Sequence, residues 1–233
     1  MSVTKKEKPH PYGSDISKFI DQTLLKPQAT EADVIKLCKG AIKYNFHSVC
    51  VNPYYVPLCK AILTGHYSRV TTVIGFPLGL SLKEVKVYEA VQSVLYGAHE
   101  LDIVMNMGAA KSANWKFVEQ ELSDIIAASG EVLHKVIIET CFLTEKEKMI
   151  AAEVVLACGA KFIKTSSGYG SSGAKIKDVK LLKGIVGDKA EIKAAGGIKT
   201  LKQALGFLKA GAARIGTSSG VEIVKEAMNK DLN

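Results

Sequence analysis

The sequence predicts a (β/α)8 barrel in a single domain. Three observations carry that prediction. A pattern of strand, loop, helix and glycine recurs from end to end, and eight short apolar runs read as strands. The glycines concentrate after the sixth, seventh and eighth of these runs, and no G-x-G-x-x-G follows the first ones, as a dinucleotide-binding sheet requires. At 233 residues and 47% hydrophobic content the chain can build one substantial core. Residues 1–13 are expected to form a flexible tail and residues 14–233 the barrel domain.

Taken in order, the first strand is IDQTLL (20–25), the weakest of the eight because the amphipathic stretch SDISKF precedes it and Pro27 ends it. The others are SVCVNP (48–53), RVTTVIGFP (69–77), ELDIVMN (100–106), HKVIIET (134–140), KFIKTS (161–166), EIKAAG (191–196) and ARIGTS (213–218). Each is short, rich in apolar or β-branched residues, and closed by turn formers. Helices between them announce their starts: Thr30 with Asp33, Ser81 with Glu84 and Thr144 with Glu147 each have capping-box spacing. Gly97, Gly159 and Gly211 stand where helices end and the chain needs a left-handed residue. Within ADVIKLCKGAI and KEVKVYEAVQSVL the apolar positions recur every three to four residues, giving each helix one buried stripe.

Composition narrows the function. The net charge is +8, yet of 31 basic residues only Arg69 and Arg214 are arginine, and no basic cluster is interleaved with aromatics, so nucleic acid is not an expected partner. No apolar run reaches the ~18 residues of a membrane helix, and the N-terminal MSVTKKEKPHPYGSD lacks the apolar segment of a signal peptide. A cytoplasmic protein that meets no membrane is therefore expected. Cys38, Cys50, Cys59, Cys141 and Cys158 are scattered and odd in number, which suits small core residues better than a disulfide framework or a zinc ribbon. His10, His47, His66, His99 and His134 do not pair at ligand spacing, so neither a metal nor any other cofactor is expected.

Two lysines interrupt otherwise buried strands, Lys164 in KFIKTS and Lys193 in EIKAAG. Side chains alternate faces along a strand, so Leu101, Ile103, Met105, Ile163, Ile192 and Ala194 face the helices. Glu100, Asp102, Val104, Asn106, Lys164 and Lys193 then face the interior. A structural ion pair would account for one lysine beside one aspartate. A second buried ammonium, only partly compensated, points to chemistry. A free lysine with a pKa near ~10.4 is almost wholly protonated at neutral pH and a poor nucleophile. A second ammonium at ~4 Å, at an effective dielectric of ~20, disfavours the charged form by ~4 kcal/mol and would bring Lys164 or Lys193 close to neutrality. A neutral lysine attacks a carbonyl to form a Schiff base, and Asp102 can move the protons.

The loops after the late strands hold material for a phosphate site: Gly168 after the sixth, Gly196 and Gly197 after the seventh, and Gly216, Ser218 and Ser219 after the eighth. The residues by themselves indicate a Schiff-base aldolase acting on a phosphorylated carbonyl compound. They leave open another lysine-dependent aldolase or transaldolase, and a non-catalytic phosphate-binding barrel.

The motifs IDQTLLKP, ELDIVMNMG, KVIIETC, FIKTSSG, IKAAGGI and RIGTSS closely resemble those of the deoxyribose-phosphate aldolases, a class I aldolase family, from about Ser14 to beyond Ser219. The resemblance implies that Lys164 is the Schiff-base nucleophile, that Lys193 tunes it and shares in proton transfer, and that Asp102 is the proton relay. It also implies that the glycines of AAGGI and the serines of GTSS bind phosphate, and that Asp21 lines the pocket. The implied reaction is reversible cleavage of 2-deoxy-D-ribose 5-phosphate to acetaldehyde and D-glyceraldehyde 3-phosphate, in deoxynucleoside catabolism. The expected partners are thus a small phosphorylated sugar and a second copy of the chain in a homodimer. Three positions depart from the family pattern. Gln22 stands where histidine is common, Tyr169 where some members have a basic residue, and NKDLN offers no C-terminal tyrosine for proton exchange. Turnover is expected without that tyrosine, with water or Asp102 and Lys193 as the relay, and phosphate affinity is expected to rest on backbone groups.

Overall fold

The computed structural model describes residues 13–231. Eight parallel strands close into a barrel in sequence order: β1 (Ile20–Leu24), β2 (Ser48–Val51), β3 (Arg69–Ile74), β4 (Glu100–Val104), β5 (Leu133–Ile137), β6 (Phe162–Lys164), β7 (Glu191–Ala195) and β8 (Ala212–Thr217), with β8 pairing back onto β1. The helices around it are α1 (Glu31–Tyr44), α2 (Val56–Leu63), α3 (Lys83–Leu95), α4 (Met107–Lys111), α5 (Trp115–Ser129), α6 (Glu145–Ala157), α7 (Ile176–Val186), α8 (Leu201–Lys209) and α9 (Gly220–Asp231). The expected tail over 1–13 lies outside the described residues except Gly13, which opens a 3-10 turn, Gly13–Phe19, leading into β1. No helix among the described residues is long and apolar enough to cross a membrane.

Local signals account for most helix ends. Thr30 and Thr144 form the expected capping boxes with Asp33 and Glu147, each worth about 1 kcal/mol. Thr200 with Gln203 makes a third that the sequence reading missed. Ser81 does not cap α3. The helix starts two residues later behind Leu82, without a side-chain bond, because the preceding Leu80–Leu82 segment runs on before the chain turns helical. Gly97, Gly159 and Gly211 each follow a helix C-cap and have φ of 108°, 82° and 105°, a region closed to most side chains.

The apolar core sits between barrel and helices, where the outward faces Leu101, Ile103, Met105, Ile163, Ile192 and Ala194 are buried in one continuous cluster. The inward face is unlike an ordinary barrel filling of branched aliphatics. Strand register sets Asp102 beside Lys135, Lys164 beside Lys193, and Lys193 beside Arg214. At the upper end, Leu25, Cys50 and Val73 form a small apolar layer.

One glycine makes room for this polar interior. A Cβ on Gly216 would lie 2.9 Å from Ala195 Cβ and 3.1 Å from Lys193 Cε, so the bare backbone of β8 is what lets the Lys193 chain reach inward. Gly216→Ala is expected to displace Lys193 and lower kcat at least tenfold while costing about 1–3 kcal/mol of stability, the usual cost of overpacking. Paired activity and urea-unfolding measurements check this.

Candidate active site

The strands bring seven charged groups into one buried network. Asp102 lies at its centre, with Oδ1 accepting from Lys135 Nζ at 2.8 Å and Oδ2 accepting from both Lys164 and Lys193 at 2.8 Å. Lys193 also reaches Asp21 Oδ2 at 2.5 Å, and Arg214 bonds Asp21 Oδ1 at 2.9 Å. Below them Glu100 meets Lys135 at 2.6 Å, Arg214 at 3.4 Å and His47 at 2.9 Å. Asp21, Asp102, Lys135 and Lys193 are fully buried.

Three carboxylates face three lysines and an arginine in this network, so one cationic proton is in excess. Its distribution follows from the contacts. Burial alone would raise the Asp102 carboxyl, but Lys135, Lys164 and Lys193 hold it well below the usual carboxylate range. Burial likewise opposes ionisation of Glu100, which Lys135 and the His47 bond bring down to about 2. Lys193 corrects an expectation. Burial pushes its ammonium down, but Asp102 and Asp21 outweigh that and hold it above the ordinary lysine value, so it is not brought near neutrality. Lys164 has one carboxylate partner, shared with two other ammonium groups, and is the least compensated cation of the set.

Lys164 is also the member of the network that opens onto space. A cavity of about 340 Å³ at the C-terminal ends of the strands is lined by Lys164, by Thr23–Lys26 after β1, and by residues from the loops after β6, β7 and β8. Gly168, Gly196, Gly197, Gly216 and Ser218 all line it, as the sequence reading places them. The N–H groups of Gly168, Gly197 and Ser218 have no acceptor among the described residues, and positive φ values at Gly168, Gly196 and Gly197 shape their loops. Free N–H groups around a cavity with Lys26 and Lys199 at its rim suit a phosphate.

Two expected binding residues are placed elsewhere. Asp21 lies beneath the cavity floor, both carboxylate oxygens occupied by Lys193 and Arg214, because its strand position alternates inward below the mouth. Ser219 is not on the cavity wall. Its N–H donates to Thr217 Oγ1 at 2.9 Å and its carbonyl accepts from Ile223, so it serves the start of α9. Gln22 braces the same loop, donating from Nε2 to the Ser218 carbonyl and accepting the Gly220 N–H at Oε1.

The sequence reading passed over Lys135, Arg214 and Glu139. The first two stand at inward positions of β5 and β8 that strand alternation marks, and their registers beside Asp102 and Lys193 complete the network. Glu139 leaves no such mark. It is a non-glycine residue at φ 44°, buried, whose carboxylate accepts from the Ser167 N–H and hydroxyl and thereby holds the loop after β6.

Tyr169 crosses the cavity mouth. Its hydroxyl donates to the Leu25 carbonyl at 2.8 Å, and its ring meets Phe76 edge-on at 5.3 Å. The hydroxyl is thus committed to a loop contact, and Tyr169→Phe is expected to change KM for a phosphorylated substrate less than about threefold. A larger rise in KM would show that the hydroxyl binds phosphate.

Comparison with known proteins identifies the family. Residues 16–226 match the DeoC/LacD family of aldolases. A deoxyribose-phosphate aldolase of Thermococcus gammatolerans is 50% identical over 223 residues, covering 94% of this chain and 99% of that one. Among solved structures, an aldolase called QR15 superposes with a TM-score of 0.91 at 42% identity, covering 94% and 98% of the two chains. The deoxyribose phosphate aldolase of Aeropyrum pernix, described as having a unique tetrameric structure, superposes with a TM-score of 0.86 at 32% identity over 94% and 93%.

Proposed function

The chain belongs to the DeoC/LacD family and is an aldolase; from that premise and the geometry above we propose that it cleaves 2-deoxy-D-ribose 5-phosphate reversibly through a Schiff base on Lys164. One observation carries the reading. Of four buried cations on three carboxylates, Lys164 alone lines the cavity, beside unpaired N–H groups suited to a phosphate.

The steps follow from the contacts. Neutral Lys164 adds through Nζ to the C1 aldehyde of the open-chain sugar, and the carbinolamine loses water to give a protonated imine. The C3 hydroxyl proton is removed and the C2–C3 bond breaks. Its electrons pass into the iminium to form an enamine, and C3 leaves as the aldehyde of glyceraldehyde 3-phosphate. Protonation of the enamine at C2, then hydrolysis, releases acetaldehyde and restores Lys164. Asp102, ionised and bonded to Lys164, is placed to accept protons, and Lys193, held protonated, to supply them. This pair provides the proton relay.

Incubation with deoxyribose 5-phosphate should release glyceraldehyde 3-phosphate, read in a coupled reduction assay, and should exchange the methyl protons of acetaldehyde in D2O. Cleavage of a different phosphorylated sugar, with deoxyribose 5-phosphate untouched, would replace the substrate. Release without exchange would contradict the relay.

The homodimer is part of the same proposal. Leu78, Leu80, Leu82, Val85 and Tyr88, in one loop and the first turns of α3, are all more than half exposed, an apolar set that a second copy would cover. Sedimentation should give twice the 25.0 kDa chain mass, whereas a monomer or a larger assembly would refute a dimer.

A further inference from the structure

At the opposite end of the barrel from Lys164 lies a second cavity, of about 360 Å³, lined by Lys60, Leu63, Thr64, Gly65, His66, Tyr67, Ser68, Arg69 and His99. Its charged lining is cationic throughout, with no carboxylate. His99 precedes β4, and its Nδ1 lies 3.0 Å from the Val70 N–H, the first free donor of the β3–β4 ladder. Since that amide can only donate, Nδ1 is the unprotonated nitrogen and Nε2 carries the hydrogen. Lys60 Nζ stands 3.3 Å from that same Nε2. The Lys60 chain is held there by its course over Gly97, where a Cβ would lie 2.7 Å from Lys60 Cγ. An ammonium and an imidazole N–H therefore face each other with no acceptor between them.

Nearby acidity does not resolve the conflict. Glu100 follows His99 in sequence, but its oxygens are taken by His47, Thr71, Lys135 and Arg214. Burial, with Lys60 and Arg69 acting against a positive ring, keeps His99 below the ordinary histidine value despite Glu100. Two donors converge on one point beside a guanidinium, in a pocket large enough for a small molecule. That is the arrangement a tetrahedral oxyanion completes.

We propose that Lys60, Arg69 and the Nε2–H of His99 form a second anion site, at the N-terminal end of the strands, that takes a phosphate dianion, free or as the end group of a small phosphate monoester. Its position separates it from the catalytic cavity, to which none of its residues belongs.

The test follows the ring nitrogens of His99 by long-range 1H–15N spectra during titration with inorganic phosphate, and in a second arm with glycerol 3-phosphate. The ring should report the Nε2–H tautomer, and its Nε2 signal should move saturably with phosphate. Lys60→Met and Arg69→Met, both at exposed positions, should each weaken that response about tenfold, as expected for loss of one charge-assisted bond. Lys164→Met should leave it unchanged. A matching response to glycerol 3-phosphate assigns the monoester, and a response to phosphate alone assigns the free anion. Four results would each overturn the site: an Nδ1–H tautomer, a His99 signal that stays still while the Gly197 and Ser218 amides move, equal movement with chloride at matched ionic strength, or an undiminished response in Lys60→Met.

Discussion

Lys164→Met is expected to lower kcat by roughly 10⁴-fold or more, because Lys26 and Lys199, the other amines lining the cavity among the described residues, are exposed at its rim and cannot take over the covalent step. Affinity for the phosphorylated sugar should change far less, since the free N–H groups of Gly168, Gly197 and Ser218 are untouched. Stability should hold or rise by about 1 kcal/mol. The network carries one cation more than it has carboxylates, and methionine removes the least compensated of them while filling similar volume. Kinetics, equilibrium binding and urea unfolding of one variant separate these three effects. An intact fold with lost binding would mean that Lys164 is a ligand-holding residue instead of a nucleophile.

Asp102→Asn should be damaging in both activity and stability. Lys135, Lys164 and Lys193 all bond this one carboxylate, so its neutralisation leaves buried ammonium groups without their shared counter-charge, at a cost of about 3–5 kcal/mol. The pH dependence has a definite sign. In the native protein Asp102 is depressed below its unfolded value of 3.8, so its contribution is fully present above that value and is lost as pH falls below it. In the variant Lys135 keeps Glu100 and Lys193 keeps Asp21, but Lys164 loses its carboxylate partner, so its buried ammonium is expected to hold its proton less tightly folded than unfolded. The unfolded chain then carries more protons near neutrality, and stability rises with pH. Urea unfolding at pH 7 and pH 9 should therefore show the Asn variant recovering part of its loss at the higher pH. An Asn variant as stable as the native chain at pH 7 would show that the network is not held by Asp102.

The fold was legible because each level of the sequence agreed. Strand runs, helix caps at Thr30 and Thr144 and the glycine stops at 97, 159 and 211 all describe the same βα repeat, and the closed barrel follows. The buried charged set was legible for a simpler reason. A lysine inside a buried run violates the pattern, and two such lysines on neighbouring strands violate it together. What escaped was whatever depends on partners distant in the chain. Lys135 follows His134 near the start of its run and looks like an ordinary strand-edge charge until register sets it beside Asp102. Asp21 and Ser219 carry motif letters that suggest pocket residues, yet strand alternation puts one beneath the floor and the start of α9 claims the other. One neighbouring ammonium, taken by itself, predicts that Lys164 or Lys193 comes close to neutrality. The full network reassigns the protons, because three carboxylates, not one, decide which lysine keeps its charge.

The most direct test of that assignment is reductive trapping. The protein is incubated with acetaldehyde and a low concentration of cyanoborohydride, and adducts are mapped by peptide mass spectrometry. A single ethyl adduct on Lys164, suppressed by deoxyribose 5-phosphate, is the predicted result. An adduct on Lys193, or adducts spread over surface lysines with Lys164 unmodified, would contradict it.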